Sequence, residues 1–371
     1  MRYSEYGRTG KQVSVLGFGG MHFDTSRPRA ENADLVRYAC SLGVNYFDTA
    51  PGYCGDESEP IFGEAFRDMP GPFYVSTKGM PTSFDTAGKA RDAVRRSLDR
   101  LGIPKIDFYH VWCLREMDHY DLAVKPGGQY EGLLQCKEEG LIEHIVCSSH
   151  QTGPEVAHIL SKDEFEGVLL GVNILNFPYR WDGLVAARDR GIGVVAMNPL
   201  AGGAIPQHES EFSFLAREGE SATEAALRFN MGCPLITVTL NGFTTREHVD
   251  LACRVADSAE PMSEEEVERL RGELGENLDT ICTGCGYCKG CPQDIPVANY
   301  MQVYNEHVMF GVAGEGMTDK IRSNYSWGVL VGRAADADAC TACGQCEDAC
   351  TQHLPIIKRL AEMAEWEAPL K

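Results

Sequence analysis

Eight cysteines near the C-terminus carry the plainest chemistry in the chain: Cys282, Cys285, Cys288 and Cys291, then Cys340, Cys343, Cys346 and Cys350. Each group puts soft thiolate donors on one short loop, so a few residues can wrap a compact inorganic core. Thiolates select zinc, Cu(I) or iron–sulfur. A zinc ribbon takes two CxxC pairs set far apart, whereas four cysteines at a near-constant step suit a cubane. The reference run is C-x2-C-x2-C-x3-C-P, whose fourth cysteine serves the other cluster. The second group keeps the x3 gap but has Thr351 in place of proline; the first has Pro292 but only two residues before Cys291. This spacing points to two [4Fe–4S] clusters, with one cluster or zinc as the alternatives. Disulfides, the remaining reading, fit poorly with a chain that opens without a signal peptide.

The remaining candidates sit on a repeated beat of short apolar run, polar loop and amphipathic stretch. The apolar runs are Val13–Phe18, Val44–Phe47, Phe73–Ser76, Ile106–Trp112, Leu141–Cys147, Val168–Val172, Ile192–Ala196 and Leu235–Thr239. Helical patterns follow most of them, as at Arg29–Leu42, Thr86–Leu101, Gly127–Glu139 and Ala222–Met231. Eight β runs alternating with helices predict a parallel sheet, and eight strands close an α/β barrel of the (β/α)8 TIM type. A doubly wound sheet is the weaker alternative, because Gly17-Phe18-Gly19-Gly20 does not complete G-x-G-x-x-G. The first dozen residues, turning at Arg8-Thr9-Gly10, read as a hairpin.

An acidic helix over Ser263–Leu278 opens with Ser263 and Glu266 as a capping box. Beyond it the composition turns rich in cysteine and glycine, with helices near Val297–Val308 and Leu354–Glu367. The division expected is a barrel over residues 1–275 and a small α-helical dicluster domain over 276–371. No internal repeat beyond the strand–helix beat stands out.

A net charge of -20 over 371 residues lacks the basic footprint that nucleic acid needs. No apolar run approaches the roughly 20 residues of a membrane span, and the polar start has no h-region. A cytoplasmic protein acting on a small molecule is expected, without membrane or nucleic-acid partners.

In such barrels the active site lies at the C-terminal ends of the strands. Those ends carry Asp48 and Tyr53, then Lys78, then His110 and Trp112, then Ser148, Ser149 and His150. Asn176, Asn198 and Asn241 follow the last three strands. Side chains alternate along a strand, so His110 shares a face with Trp112 and sits about 6–7 Å deeper. It reads as a core histidine or as one reaching the pocket through a water. Residues Asn241–Arg246 lead into a helix whose N-terminus suits a phosphate.

The pieces RTG-x2-VS-x-LGFGG, FDTA-x2-Y-x3-ESE, STK, IDFYH and NPLAGG resemble the aldo-keto reductase family. The tail CTGCGYCKGCP with CTACGQCEDAC resembles its ferredoxin-fused branch, so the second domain is expected to be ferredoxin-like. The resemblance implies that Tyr53 donates the proton when a carbonyl is reduced, with Lys78 and Asp48 lowering its pKa. The family's usual histidine is replaced by Trp112, read as a pocket wall, and this departure opens reduction of an activated alkene beside that of a small carbonyl. It implies NADP(H) across the barrel top, with NAD(H) as the alternative. Ser148 and Ser149 would hold the carboxamide where a Ser-Asn pair usually stands. Asn176 matches a family amide position, Asn198, Leu200 and Gly202 match the loop along the pyrophosphate, and Arg246 would read a 2′-phosphate. Two other functions remain open: an enzyme whose clusters exchange electrons with a redox protein partner, and a non-catalytic nicotinamide or redox sensor.

Overall fold

A computed structural model describes residues 1–114, 117–207, 209–210, 212–277, 282, 288–350 and 354–371. The described chain divides into two compact units, Met1–Val267 and Glu268–Lys371.

The first unit opens with an antiparallel pair, β1 (Tyr3–Glu5) and β2 (Gln12–Ser14). Eight parallel strands follow: β3 (Leu16–Gly19), β4 (Tyr46–Asp48), β5 (Tyr74–Gly79), β6 (Ile106–Leu114), β7 (Ile142–Ser149), β8 (Gly167–Gly171), β9 (Gly193–Met197) and β10 (Val238–Gly242). They close in sequence order, with β10 pairing to β3, as the eight apolar runs predict. The outer helices are α1 (Arg29–Ser41), α2 (Ser58–Phe66), α3 (Ala87–Leu101), α4 (Met117–Val124), α5 (Gln129–Glu138), α6 (Gly153–Leu160) and α7 (Phe177–Asp189). The series continues with α8 (Ala204–Gln207), α9 (Ala222–Gly232) and α10 (Arg246–Ser258), and α11 (Glu264–Asn277) spans the division between the units. Thr86, Thr152, Ser221 and Thr245 each cap the helix that follows by accepting a backbone N–H.

The run Val13–Phe18 is not one strand. It breaks at Val15 between the hairpin and the barrel, because the hairpin closes the floor of the barrel. Tyr6 is fully buried there, its ring 4.3 Å from that of Phe108 and 6.1 Å from that of Tyr46. A Cβ on Gly167 or Gly193 would come within 2.3 or 2.5 Å of Tyr6, so these glycines make room for the ring. The RTG turn holds the plug: Thr9 Oγ1 donates to the Tyr6 carbonyl at 2.6 Å, and Gly10 takes φ +72.

The second unit contains α12 (Val297–Phe310), α13 (Glu315–Trp327), α14 (Gln345–Asp348) and α15 (Ile356–Glu367), of which α13 and α14 are not among the helices the sequence predicts. Here an internal repeat corrects the sequence reading. Cys291 and Cys350 each precede by five residues a proline, Pro296 or Pro355, that starts a helix with φ -75 and ψ 70. Ile295 and Leu354 before those prolines are both buried, and each carbonyl accepts an N–H two residues on at 2.8 Å. The two helix starts are therefore alike, each set five residues after the last cysteine of its group, with the one-residue difference in the last cysteine gap hiding the match. Fully buried Glu367 accepts from Tyr300, Tyr325 and the backbone of Ala337.

Gly193→Ala is expected to destabilise the barrel by about 1–3 kcal/mol, the usual cost of overpacking. A thermal melt unchanged from wild type would show that the Tyr6 plug yields freely.

Candidate active site

The strand register brings three predicted side chains together. Asp48 pairs across to Ser76, and Lys78 pairs across to His110. The period of two turns Asp48, Ser76, Lys78 and His110 inward, above the layer of Tyr46 and Phe108. All four are buried, none more than 2% exposed. Lys78 Nζ donates to Asp48 Oδ1 and to the Thr49 carbonyl, the latter at 2.8 Å, and lies 5.2 Å from the centre of the Tyr53 ring.

The motif residues around this pair hold the strands in place. Ser58 and Thr49 share a hydroxyl bond of 2.7 Å, and Thr77 Oγ1 donates to buried Glu59 at 2.8 Å. Glu59 also faces the Arg100 guanidinium at 3.3 Å. The last glycine of LGFGG is needed because a Cβ on Gly20 would lie 2.3 Å from Ser58 Oγ.

His110 reaches the pair through a serine rather than a water. Its Nε2 lies 2.8 Å from Ser76 Oγ, which is 2.7 Å from Asp48 Oδ2, and its Nδ1 lies 3.1 Å from the Cys147 carbonyl. Ser76 has no role in the sequence reading, although it precedes Lys78 by two residues and so shares its face. Burial and the Lys78 charge push His110 down to about 4. Burial pulls Lys78 below its usual value against the attraction of Asp48. The Tyr53 phenol is raised, first by burial and then by the negative charge of Asp48. Loss of water around the phenol is the larger of these two effects.

Trp112 is half-buried, with its ring edge-on to Tyr53 at 5.6 Å, where a pocket wall belongs. Its strand is irregular there. Val111 pairs with Cys147 and Leu114 with Ser149, so one extra residue bulges at Trp112–Cys113, and Cys113 takes φ +64. The bulge also engages the next strand. Ser148 Oγ accepts the Cys113 N–H at 2.8 Å. Ser149 Oγ donates to the Leu114 carbonyl and accepts from the Gln151 N–H, both at 3.0 Å. Both serines are 1% exposed, and their hydroxyls shape the strand ends.

Asn176 is likewise engaged, accepting from the Asn173 N–H at 2.8 Å and donating to the Gly171 carbonyl at 3.2 Å. Asn173, absent from the sequence reading, donates to the Asn198 carbonyl at 3.1 Å and so ties the loops after β8 and β9. Asn198 is exposed at φ +64, and Leu200 and Gly202 lie in the turn that follows. Asn241 is 6% exposed, and its amide Nδ2 has no partner, an open donor at the end of β10. Arg246 opens α10 with its guanidinium 4.7 Å from the centre of the Tyr38 ring. With Arg27, Thr244 and Thr245 it lines a depression of about 230 Å³, to which Glu31 and Asp34 also contribute.

Of the eight clustered cysteines, Cys285 lies outside the described residues. The other seven form no disulfide. Cys350 belongs to the core of the second unit, Cys282, Cys288, Cys291, Cys340 and Cys346 pack against it, and Cys343 is exposed. Asn305 of α12 clamps the Cys282 backbone with two bonds of 2.8 Å. Thiolates round one zinc would stand about 3.8 Å apart, from a Zn–S bond of about 2.3 Å. Among the described residues no three thiols lie within 4.8 Å of one another.

A parallel eight-stranded barrel with a buried lysine–aspartate pair at its mouth defines an α/β-barrel oxidoreductase. The chain belongs to the aldo/keto reductase family, which it matches over residues 15–273, and it carries a 4Fe-4S dicluster domain over residues 281–354. It is an NAD(P)H-dependent enzyme of that family. It is 23% identical over 312 residues to the uncharacterized oxidoreductase YqkF of Bacillus subtilis, covering 75% of this chain and 98% of that one. L-galactose dehydrogenase of Arabidopsis thaliana is 28% identical over 241 residues, 60% of this chain and 72% of the relative. An aldo-keto reductase of Klebsiella pneumoniae solved in complex with NADPH shares the barrel with TM-score 0.62 at 19% identity, covering 74% of this chain and 96% of its own. Among the described residues no helix is long and apolar enough to cross a membrane.

Ser148→Ala removes the hydroxyl that accepts the buried Cys113 N–H and is expected to cost about 1–3 kcal/mol. It should also alter Trp112 fluorescence, read as a difference against Trp112→Phe in the same background. An unchanged melt and unchanged emission would remove Ser148 as the support of the bulge.

Proposed function

We propose that the barrel is a cytoplasmic NADP(H)-dependent reductase of a small carbonyl or activated alkene, with Tyr53 as proton donor. The observation that carries this reading is Lys78: a buried cation bonded to Asp48 and Thr49 and set 5.2 Å from the Tyr53 ring. The resting phenol keeps its proton, as a donor must. When negative charge develops on the substrate oxygen, Tyr53 releases that proton and Lys78 is placed to stabilise the phenolate left behind. Trp112 walls the pocket beside Tyr53 and offers no imidazole, so proton delivery rests with Tyr53.

The NADPH carried by the Klebsiella pneumoniae structure supports NADP(H) as the cofactor, with NAD(H) the alternative. Bound at the strand ends, it would supply the hydride. Asn241 has the open donor, the Asn198–Gly202 loop lies at the end of β9, and Thr245 and Arg246 put a helix N-terminus and a guanidinium where a 2′-phosphate would be held. Ser148, Ser149 and Asn176 serve the shape of the site through the backbone.

The second unit is proposed to hold two [4Fe–4S] clusters on the two cysteine loops, which would supply one-electron transfer. The exposure of Cys343 favours a second role beside the first, electron exchange with a redox protein partner at that edge.

Tyr53→Phe is expected to keep cofactor affinity while turnover on a carbonyl panel falls about 10²–10⁴-fold. Lys78→Met should lose a comparable amount, and the double variant little more. Turnover unaffected by Tyr53→Phe would end the reductase reading. Separately, anaerobically purified protein should contain about eight iron and eight acid-labile sulfide per chain. Two zinc and no sulfide would overturn the cluster assignment.

A further inference from the structure

Three contacts inside the barrel need three protons. His110 Nδ1 faces the Cys147 carbonyl at 3.1 Å, His110 Nε2 faces Ser76 Oγ at 2.8 Å, and Ser76 Oγ faces Asp48 Oδ2 at 2.7 Å. A carbonyl brings no proton, so the first contact takes an Nδ1–H. A neutral imidazole then has only a lone pair at Nε2. One serine hydroxyl cannot donate to both Nε2 and an ionised carboxylate. Either way two lone pairs would face each other at hydrogen-bond distance, where His110 and Ser76 are fully buried and Asp48 nearly so.

We propose that the His110–Ser76–Asp48 chain holds one proton beyond those of a neutral imidazole and an ionised carboxylate, and that His110 and Ser76 are positioning residues for Tyr53. The inference rests on Tyr53 as the proton donor. With Asp48 fully ionised, its charge cancels that of Lys78 as seen from Tyr53. A proton shared along the chain offsets Asp48 and leaves a net positive charge beneath the phenol. Asp48 is the charged neighbour that raises Tyr53, so this is where its influence can be relieved. The other charged or titratable groups around the chain are Lys78 from β5, Tyr46 from β4, the Cys147 strand and, beyond Lys78, Glu59 of α2. Burial and Lys78 oppose a free imidazolium at His110.

Ser76 and His110 act without touching substrate, so the test reads Tyr53 directly. Difluorotyrosine built in at position 53 of the full-length, cluster-loaded protein brings the phenol into an accessible range and reports its ionisation by ¹⁹F NMR. In His110→Phe and in Ser76→Ala the titration is expected to move up by about one unit, and Ser76→Thr should restore it. In the unlabelled protein the same changes should lower kcat about tenfold with KM unchanged, one unit being a factor of ten. A merely structural loss would admit water and move the titration down, which overturns the proposal. So does a titration unmoved in both variants, or a wild-type phenol that never ionises up to the alkaline limit of folding. Because the titration uses no substrate, it stands apart from the reductase reading, which fails instead on turnover of the carbonyl panel by the unlabelled enzyme.

Discussion

Burying Lys78 is the constraint on which the barrel mouth depends. Removing an ammonium and a carboxylate from water costs several kcal/mol per ion, and attraction alone returns that only where geometry is good and the remaining protons are satisfied. Here Lys78 meets Asp48 and the Thr49 carbonyl, while Asp48 uses its second oxygen on Ser76. None of these positions is free to drift. Asp48 lies opposite Ser76 and Lys78 opposite His110 in adjacent parallel strands. A one-residue slip in any of the three strands would turn that strand's members of the group outward. The Tyr6 plug below and the Glu59–Thr77–Arg100 set outside fix that register from the two sides away from the pocket.

The barrel was legible because eight apolar runs with helices between them admit few topologies, and the period of two placed Asp48, Lys78 and His110 inward. The same rule applied to Ser76 would have linked His110 to Asp48. The bulge at Trp112–Cys113 was not legible, because no glycine or asparagine marks it; a non-glycine residue sits at positive φ there. Once the bulge is known, Ser148 and Ser149 are explained by the backbone groups the extra residue exposes. The likeness of the two helix starts in the small unit was hidden for a different reason. Matching runs are offset by one residue at the last cysteine, while the prolines that start the helices keep their distance from it.

The two units do chemically different things. A nicotinamide passes two electrons as hydride, and each cubane passes one. A flavin ordinarily bridges that mismatch, and the sequence carries no flavin signature. The side chains proposed as proton donor, cation and carboxylate all come from the first unit. The cluster unit has its own buried core and its own buried carboxylate network at Glu367, so its fold is specified independently of the barrel site.

Placing Trp112 where the family usually has a histidine changes what the pocket can ask of a substrate. An imidazole there would offer a second polar contact to a carbonyl oxygen. Trp112 instead packs its ring against Tyr53, beside the Lys78 cation. On the proposed reading, the reaction is selected by where negative charge appears, because the proton leaves Tyr53 for an oxygen held against it. Both a carbonyl and an alkene conjugated to one would meet that requirement.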